Sequence, residues 1–145
     1  MVDERIAGLI NDYIQSFEKG DVETSVSMFT ENGSITCPEG KFQGKENIKR
    51  YLENMKIRMK DLKITCSGNK ILTNDNKGLV EHDIAATIDG KRGSVLAMCA
   101  YEFEGDKITN IRTTYDRLTV AKQAAKGFIA QSLVNMVVKE TEKGF

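Results

Sequence analysis

The stretch "GLVEHDIAATIDGKRGSVLAMCAYEFE", residues 78–104, decides how this chain folds. Two runs with apolar residues at alternate positions flank Asp89-Gly90, a dipeptide that favours a two-residue hairpin turn because both residues tolerate positive φ. A turn there sets Ile88 opposite Lys91, Ile84 opposite Val95, His82 opposite Ala97 and Val80 opposite Cys99. Opposed residues share a face, so Val80, His82, Ile84, Ala86 and Ile88 form one apolar side with Val95, Ala97, Cys99, Tyr101 and Phe103. Glu81 and Asp83 point to the other side. The run Glu81-His82-Asp83 is therefore not a cluster, and any group that orients the single histidine comes from elsewhere in the chain. On the second face Leu96, Met98 and Ala100 make an apolar strip flanked by Glu81, Asp83, Glu102 and Arg112, where a solvated sheet face would read polar.

Working outward, "KITNIRTTYD" (107–116) follows the turn signal "GDK" and continues a meander, while "LKITCSGNKIL" (62–72) precedes the turn signal "NDNKG". The first half of the chain has a different period. Ile6, Leu9, Ile10, Tyr13, Ile14 and Phe17 recur at three- and four-residue steps, which predicts a first helix ended by Gly20. Asp21 caps a short second helix carrying Val22, Val26 and Phe29 inward; "NGSITCP" reads as a short strand stopped by Pro38, followed by a glycine-bounded loop. A third helix begins at Lys45 and presents Ile48, Leu52, Met55 and Met59. Residues 118–145 return to helical spacing through Leu118, Ala121, Ala125, Ile129, Leu133, Met136 and Val137, with a break expected at Gly127. Three helices before a curling antiparallel sheet predict an α+β domain in which the helices cover one face and leave a cavity beneath them.

Composition narrows the partners. The 145 residues carry 21 basic and 21 acidic side chains, and no like-charge run offers a face to nucleic acid or anionic lipid. The N-terminal "MVDERIAGLI" is not a basic leader before an apolar run, and no apolar stretch approaches the roughly 18 residues of a membrane span, so a cytoplasmic protein is expected. Cys37, Cys66 and Cys99 are an odd number without Cys-x-x-Cys spacing; reduced thiols are expected, with neither a disulfide framework nor a metal site.

The run "YIQSFEKGDVETSVSMFTENGSITCPEGKFQGKENIKRYL" together with "YEFEGDKITNIRTTYD" resembles the nuclear transport factor 2-like superfamily over residues 5–117. That superfamily includes ketosteroid isomerases, SnoaL-like polyketide cyclases and limonene-epoxide hydrolases. The resemblance implies a cone-shaped domain over residues 1–117, helices closing a curved sheet around an apolar pocket, and pairing as a homodimer through the outer sheet face. Residues 118–145 are then a helical extension packed on the same domain or on the partner. Tyr13 falls where the isomerases keep the tyrosine that donates to a developing oxyanion. Their aspartate base, just before the proline, is replaced by Cys37, and their second oxyanion donor by Cys99. The catalytic Asp-Arg-Asp set of the epoxide hydrolases falls on His82, Val80 and Thr113, so only the first position retains a proton-transfer group.

These residues point to a small-molecule pocket without cofactor. His82 is the expected general base and Tyr13 the expected oxyanion donor, with Phe17, Cys37, Val80, Ala97, Cys99, Tyr101 and Thr113 as walls around a mostly apolar organic ligand. The reaction class would be isomerisation, cyclisation or hydrolysis by proton transfer. The alternative is a non-catalytic ligand-binding or dimeric scaffold protein of the same fold, which would fill the space beside His82 with side chains.

Overall fold

The computed structural model describes residues 3–67 and 71–143. Helix α1 (Glu4–Glu18) starts at Asp3, whose carboxylate accepts from the Arg5 and Ile6 amides at 3.0 and 3.2 Å, and it buries Ile6, Ile10, Tyr13 and Ile14 along one face. Gly20, at φ 67°, lets the chain turn into α2 (Val22–Ser27), which Asp21 caps through the Thr24 amide. Strand β1 (Phe29–Cys37), the short β2 (Gly40–Gln43) and helix α3 (Lys45–Arg58) follow. The rest of the described chain comprises β3 (Lys60–Cys66), β4 (Leu72–Asn74), β5 (Lys77–Ile88), β6 (Lys91–Glu104), β7 (Lys107–Tyr115), α4 (Arg117–Ala124) and α5 (Gly127–Glu142).

The sheet order is β2-β1-β7-β6-β5-β3, with β4 also on β5. The β5–β6 register is the expected one: Asp89 and Gly90 have φ 51° and 78°, and Ile88 pairs with Lys91, His82 with Ala97 and Val80 with Cys99. Register shifts in the β1–β7, β3–β5 and β6–β7 pairs mark bulges, which bend the strands and deepen the concave face. Helices α1 to α3 cover that face, and the core between them includes Ile10, Phe29, Ile48, Leu52, Val80, Tyr101, Phe103 and Ile108.

Four local expectations are corrected. Phe29 is not on α2; that helix ends at Ser27, and Phe29 begins β1 fully buried, since its side chain completes the core under α1. The glycine-bounded loop is an antiparallel strand, β2, paired from Ser34–Gln43 to Cys37–Gly40. Met59 caps α3 rather than extending it, and the expected single strand over 62–72 ends as β3 at Cys66, with β4 taking up its last residue; residues 68–70 within it lie outside the described residues. The sheet is also not antiparallel throughout, because β1 runs parallel to β7. Parallel pairing needs a long crossover, and all the chain between β1 and β7 supplies it.

The convex face carries the expected strip. Leu96 and Met98 are 47% and 45% exposed, joined by Leu72 and Leu79, with the Arg112–Glu102 ion pair at 2.8 Å on its rim. Neither C-terminal helix covers it within one chain.

Gly78 marks where α1 approaches the sheet most closely, for a Cβ there would run into Ile10 Cδ1. Gly78→Ala is expected to destabilise the fold by about 1–3 kcal/mol, the range for overpacking a filled core. Urea denaturation checks this: the midpoint should fall with the slope unchanged.

Candidate active site

Between the helices and the concave face lies a cavity of about 200 Å³. Of the residues expected at the site, His82, Tyr13, Phe17, Cys99, Tyr101 and Thr113 line it. Cys37, Val80 and Ala97 do not: Val80 and Ala97 are buried in the packing beneath, at 0% and 1% exposure, and Cys37 turns its thiol toward the Gly40 carbonyl at 3.7 Å. Residues not expected from the sequence complete the walls. Tyr51, Met55, Arg58 and Met59 come from α3 and its C-cap, Glu39 from the β1–β2 turn, Tyr115 from the end of β7, and Val120, Gln123 and Ala124 from α4.

His82 reaches the cavity because strand alternation turns it inward, and it is 3% exposed. Its Nε2 lies 3.5 Å from the Cys99 Sγ, which in turn lies 3.0 Å from the Thr113 Oγ1. The thiol of Cys99 thus stands between the imidazole and the Thr113 hydroxyl. Nδ1 is buried with no hydrogen-bond partner among the described residues. Asp83 is exposed on the opposite face, and Glu81 accepts from the Ser67 hydroxyl at 3.3 Å. Burial pushes the imidazole pKa below its ordinary value, partly opposed by the Asp83 charge, so His82 is neutral at pH 7.

Tyr13 sits among aromatic rings, edge-on to Phe29 at 5.7 Å and to Tyr101 at 6.1 Å and stacked on Phe17 at 6.3 Å. Burial, followed by the proximity of Cys99 and Cys37, raises its pKa far above the ordinary phenol value. The Cys99 thiol is pushed up to about 11, chiefly by burial, and remains an S–H rather than a thiolate nucleophile. The inner end of the cavity therefore holds a neutral base and a set of weakly acidic donors on apolar walls.

The outer end is closed by α4. Gln123 brackets Ser94 of β6, accepting from its amide and donating to its carbonyl, both at 2.8 Å, and Lys91 Nζ donates to the Ala125 carbonyl. Arg117 donates to the Pro38 carbonyl at 3.2 Å, and the Tyr115 hydroxyl donates to Glu39. Gly93 allows the close fit, since a Cβ there would meet the Gln123 side chain.

A family model described as a SnoaL-like domain matches residues 10–111. No curated protein matches. Among solved structures, the fold is similar to a ketosteroid isomerase-like protein from Catenulispora acidiphila in complex with trimethylamine, at TM-score 0.76 and 14% identity over 88% of this chain and 96% of that one. It is similar to an epoxide hydrolase of M. tuberculosis at TM-score 0.71 and 16% identity, over 94% and 97% of the two chains. A putative polyketide cyclase from Xanthomonas campestris aligns at TM-score 0.67 and 15% identity, over 83% and 96%. At such identities the likeness establishes the fold.

The neutral burial of His82 has a consequence for stability. Its folded pKa lies below the unfolded value near 6.5, so the unfolded chain binds the extra proton as pH falls, and stability is complete above about pH 6.5 and lost below it. Urea denaturation at pH 7.5 and 5.5 should show wild type losing more stability than His82→Gln over that interval, up to the ceiling of about 1.4 kcal/mol for one group taken about one pH unit below its unfolded pKa.

Proposed function

The chain belongs to the SnoaL-like domain family, and we propose that it binds a mostly apolar organic molecule in the cavity and moves a proton on it without a cofactor. The observation that carries this reading is the unpartnered Nδ1 of a buried, cavity-lining histidine. An orphaned buried nitrogen costs about 1–3 kcal/mol, a cost that a ligand group removes by bonding to it.

In this mechanism His82 is the general base. The neutral imidazole takes a proton from a carbon or hydroxyl of the substrate, and the negative charge that develops on the substrate oxygen is met by the Tyr13 hydroxyl. The raised pKa keeps Tyr13 protonated at every working pH, so the donor is always present. Protonated His82, destabilised by burial, returns the proton readily, which suits an isomerisation or cyclisation in which the proton is redelivered. The Cys99–Thr113 pair holds Nε2 and fixes the ring plane.

The exposed apolar surface favours a paired assembly as well. Leu96 and Met98 on the convex sheet and Phe128, Ile129 and Leu133 on α5 are all about half or more exposed in the single chain. A two-fold partner would set the strip against its own copy inside a charged rim, and α5 would lie on the same partner.

Proton transfer is tested without knowing the substrate. Deuterium exchange at the α-carbon of 2-tetralone, a compact apolar ketone, followed by NMR, should be accelerated by wild type. The rate should rise with pH through one ionisation below about 6.5, fall roughly 100-fold or more in His82→Gln, and fall in Tyr13→Phe with the pH profile retained. Exchange no faster than in buffer would leave a binding protein without this chemistry. For the assembly, sedimentation equilibrium at micromolar concentration should give a dimer, and Met98→Glu a monomer.

A further inference from the structure

The cavity has two chemically different ends. Along β5 it is lined in turn by His82, Ile84, Ala86 and Ile88, and these six steps of strand span roughly 20 Å at about 3.3 Å per residue. His82 lies at the buried end. At the other end stand two cations, Arg58 at the last residue of α3 and Lys91 at the first residue of β6. The strands place both at this end, on either side of β5: Lys91 pairs with Ile88, and Lys60, two residues after Arg58, pairs with the adjoining Thr87.

Neither cation forms an ion pair among the described residues. Lys91 donates to the Ala125 carbonyl, which leaves two of its three N–H groups, and the Arg58 guanidinium has no hydrogen-bond partner among the described residues. The carboxylates nearby are otherwise committed or directed. Asp61 accepts from the Thr87 hydroxyl at 3.3 Å, Asp89 is exposed in the hairpin turn, and neither lines the cavity; Glu39, which does line it, is bonded by Tyr115. Between the two ends the walls include Ile84, Ala86, Ile88, Met55 and Met59, and the polar side chain among them, Gln123, is taken up by the Ser94 backbone.

The geometry points to an elongated ligand with an anionic end: a mostly apolar molecule whose carboxylate is held by Arg58 and Lys91 and whose far end lies beside His82. This rests on the cavity being the ligand site, as proposed above, and adds the ligand's class and its direction. A guanidinium fork matches the planar carboxylate, and the lysine adds a second positive charge at the entrance. A volume of about 200 Å³ holds roughly ten non-hydrogen atoms at about 20 Å³ each, packed as densely as a protein interior. The reach of the two long cationic side chains shortens the strand span toward that size.

Octanoate, with about ten non-hydrogen atoms, and octanamide, its neutral isostere, separate the terms. In calorimetric titrations of the full chain, octanoate should bind about tenfold more tightly than octanamide, and rising salt should weaken octanoate alone. Arg58→Gln with Lys91→Gln should bring octanoate down to octanamide; because Lys91 also anchors α4 through the Ala125 carbonyl, unchanged octanamide affinity is what shows the cavity intact, and Arg58→Gln alone, which removes no bond among the described residues, should already lose part of the preference. Equal binding of the two probes to wild type would overturn the anionic end and leave the pocket standing. A preference that survives the double variant would overturn its assignment to Arg58 and Lys91. No binding of either probe would overturn this inference together with the cavity reading beneath it.

Discussion

The pairing of β5 with β6 is the constraint on which the rest of the molecule depends. Twelve consecutive residue pairs run from Lys77–Glu102 to Ile88–Lys91, and the turn beyond them needs two residues at positive φ. A slip of one residue would turn Glu81 and Asp83 into the cavity and His82 out of it, burying two carboxylates without partners at several kcal/mol each. The other pairings inherit this register. β7 adds to β6, β3 and β4 add to β5, and β1 joins β7 in parallel, so the face seen by α1 is set at the hairpin and transmitted across the sheet.

The same burial acts with opposite effect on each titratable group in the cavity. It lowers the pKa of His82, which is charged when protonated, and raises those of Tyr13, Tyr101 and Cys99, which are charged when deprotonated. All are thereby kept neutral near pH 7, so the apolar inner end holds proton donors and an acceptor without holding charge. The charged side chains that line the cavity lie toward the entrance: Glu39 accepts from the Tyr115 hydroxyl, Arg58 is exposed, and Lys91 donates to the Ala125 carbonyl. The separation follows from desolvation: a charge tolerated at the rim would be far more costly beside Tyr101, which is 2% exposed.

Strand alternation made the hairpin legible in the sequence, because a period of two has only one solution once the turn is placed. Tyr13 and Ile14 were legible for the corresponding reason on a helix. What escaped was whatever depends on contacts between distant segments. The sequence around Gly40 contains no alternating apolar run, and β2 forms there because β1 offers it an edge. Phe29 fits the helical spacing of Val22 and Val26, yet its burial is best met at the start of β1. At the site, alternation identifies the face of Val80 and Ala97 but not the depth, and both lie below the cavity floor. Glu39, Tyr51 and Tyr115 were missed because they converge from a turn, a helix and a strand end, with no spacing in the chain to link them. The Cys99 bridge between His82 and Thr113 was likewise a matter of side-chain length, which alternation does not report.

The two ends of the cavity are held by different forces. Its inner end is walled by Tyr13, Leu52 and Tyr101, whose apolar burial belongs to the cooperative core; removing any one of them would cost several kcal/mol. Its outer end is closed by α4, which has no fully buried residue and is anchored by hydrogen bonds through Gln123, Lys91 and Arg117. Such bonds exchange readily with water and contribute about 1 kcal/mol each. Local opening is therefore least costly on the α4 side, and it exposes the cavity without disturbing the β5–β6 register or the His82–Cys99–Thr113 contacts. Under the proposed function, in which a ligand reaches a buried histidine whose face stays fixed, this division serves both needs: cohesion by apolar packing at the inner end, and closure by exchangeable polar contacts at the entrance.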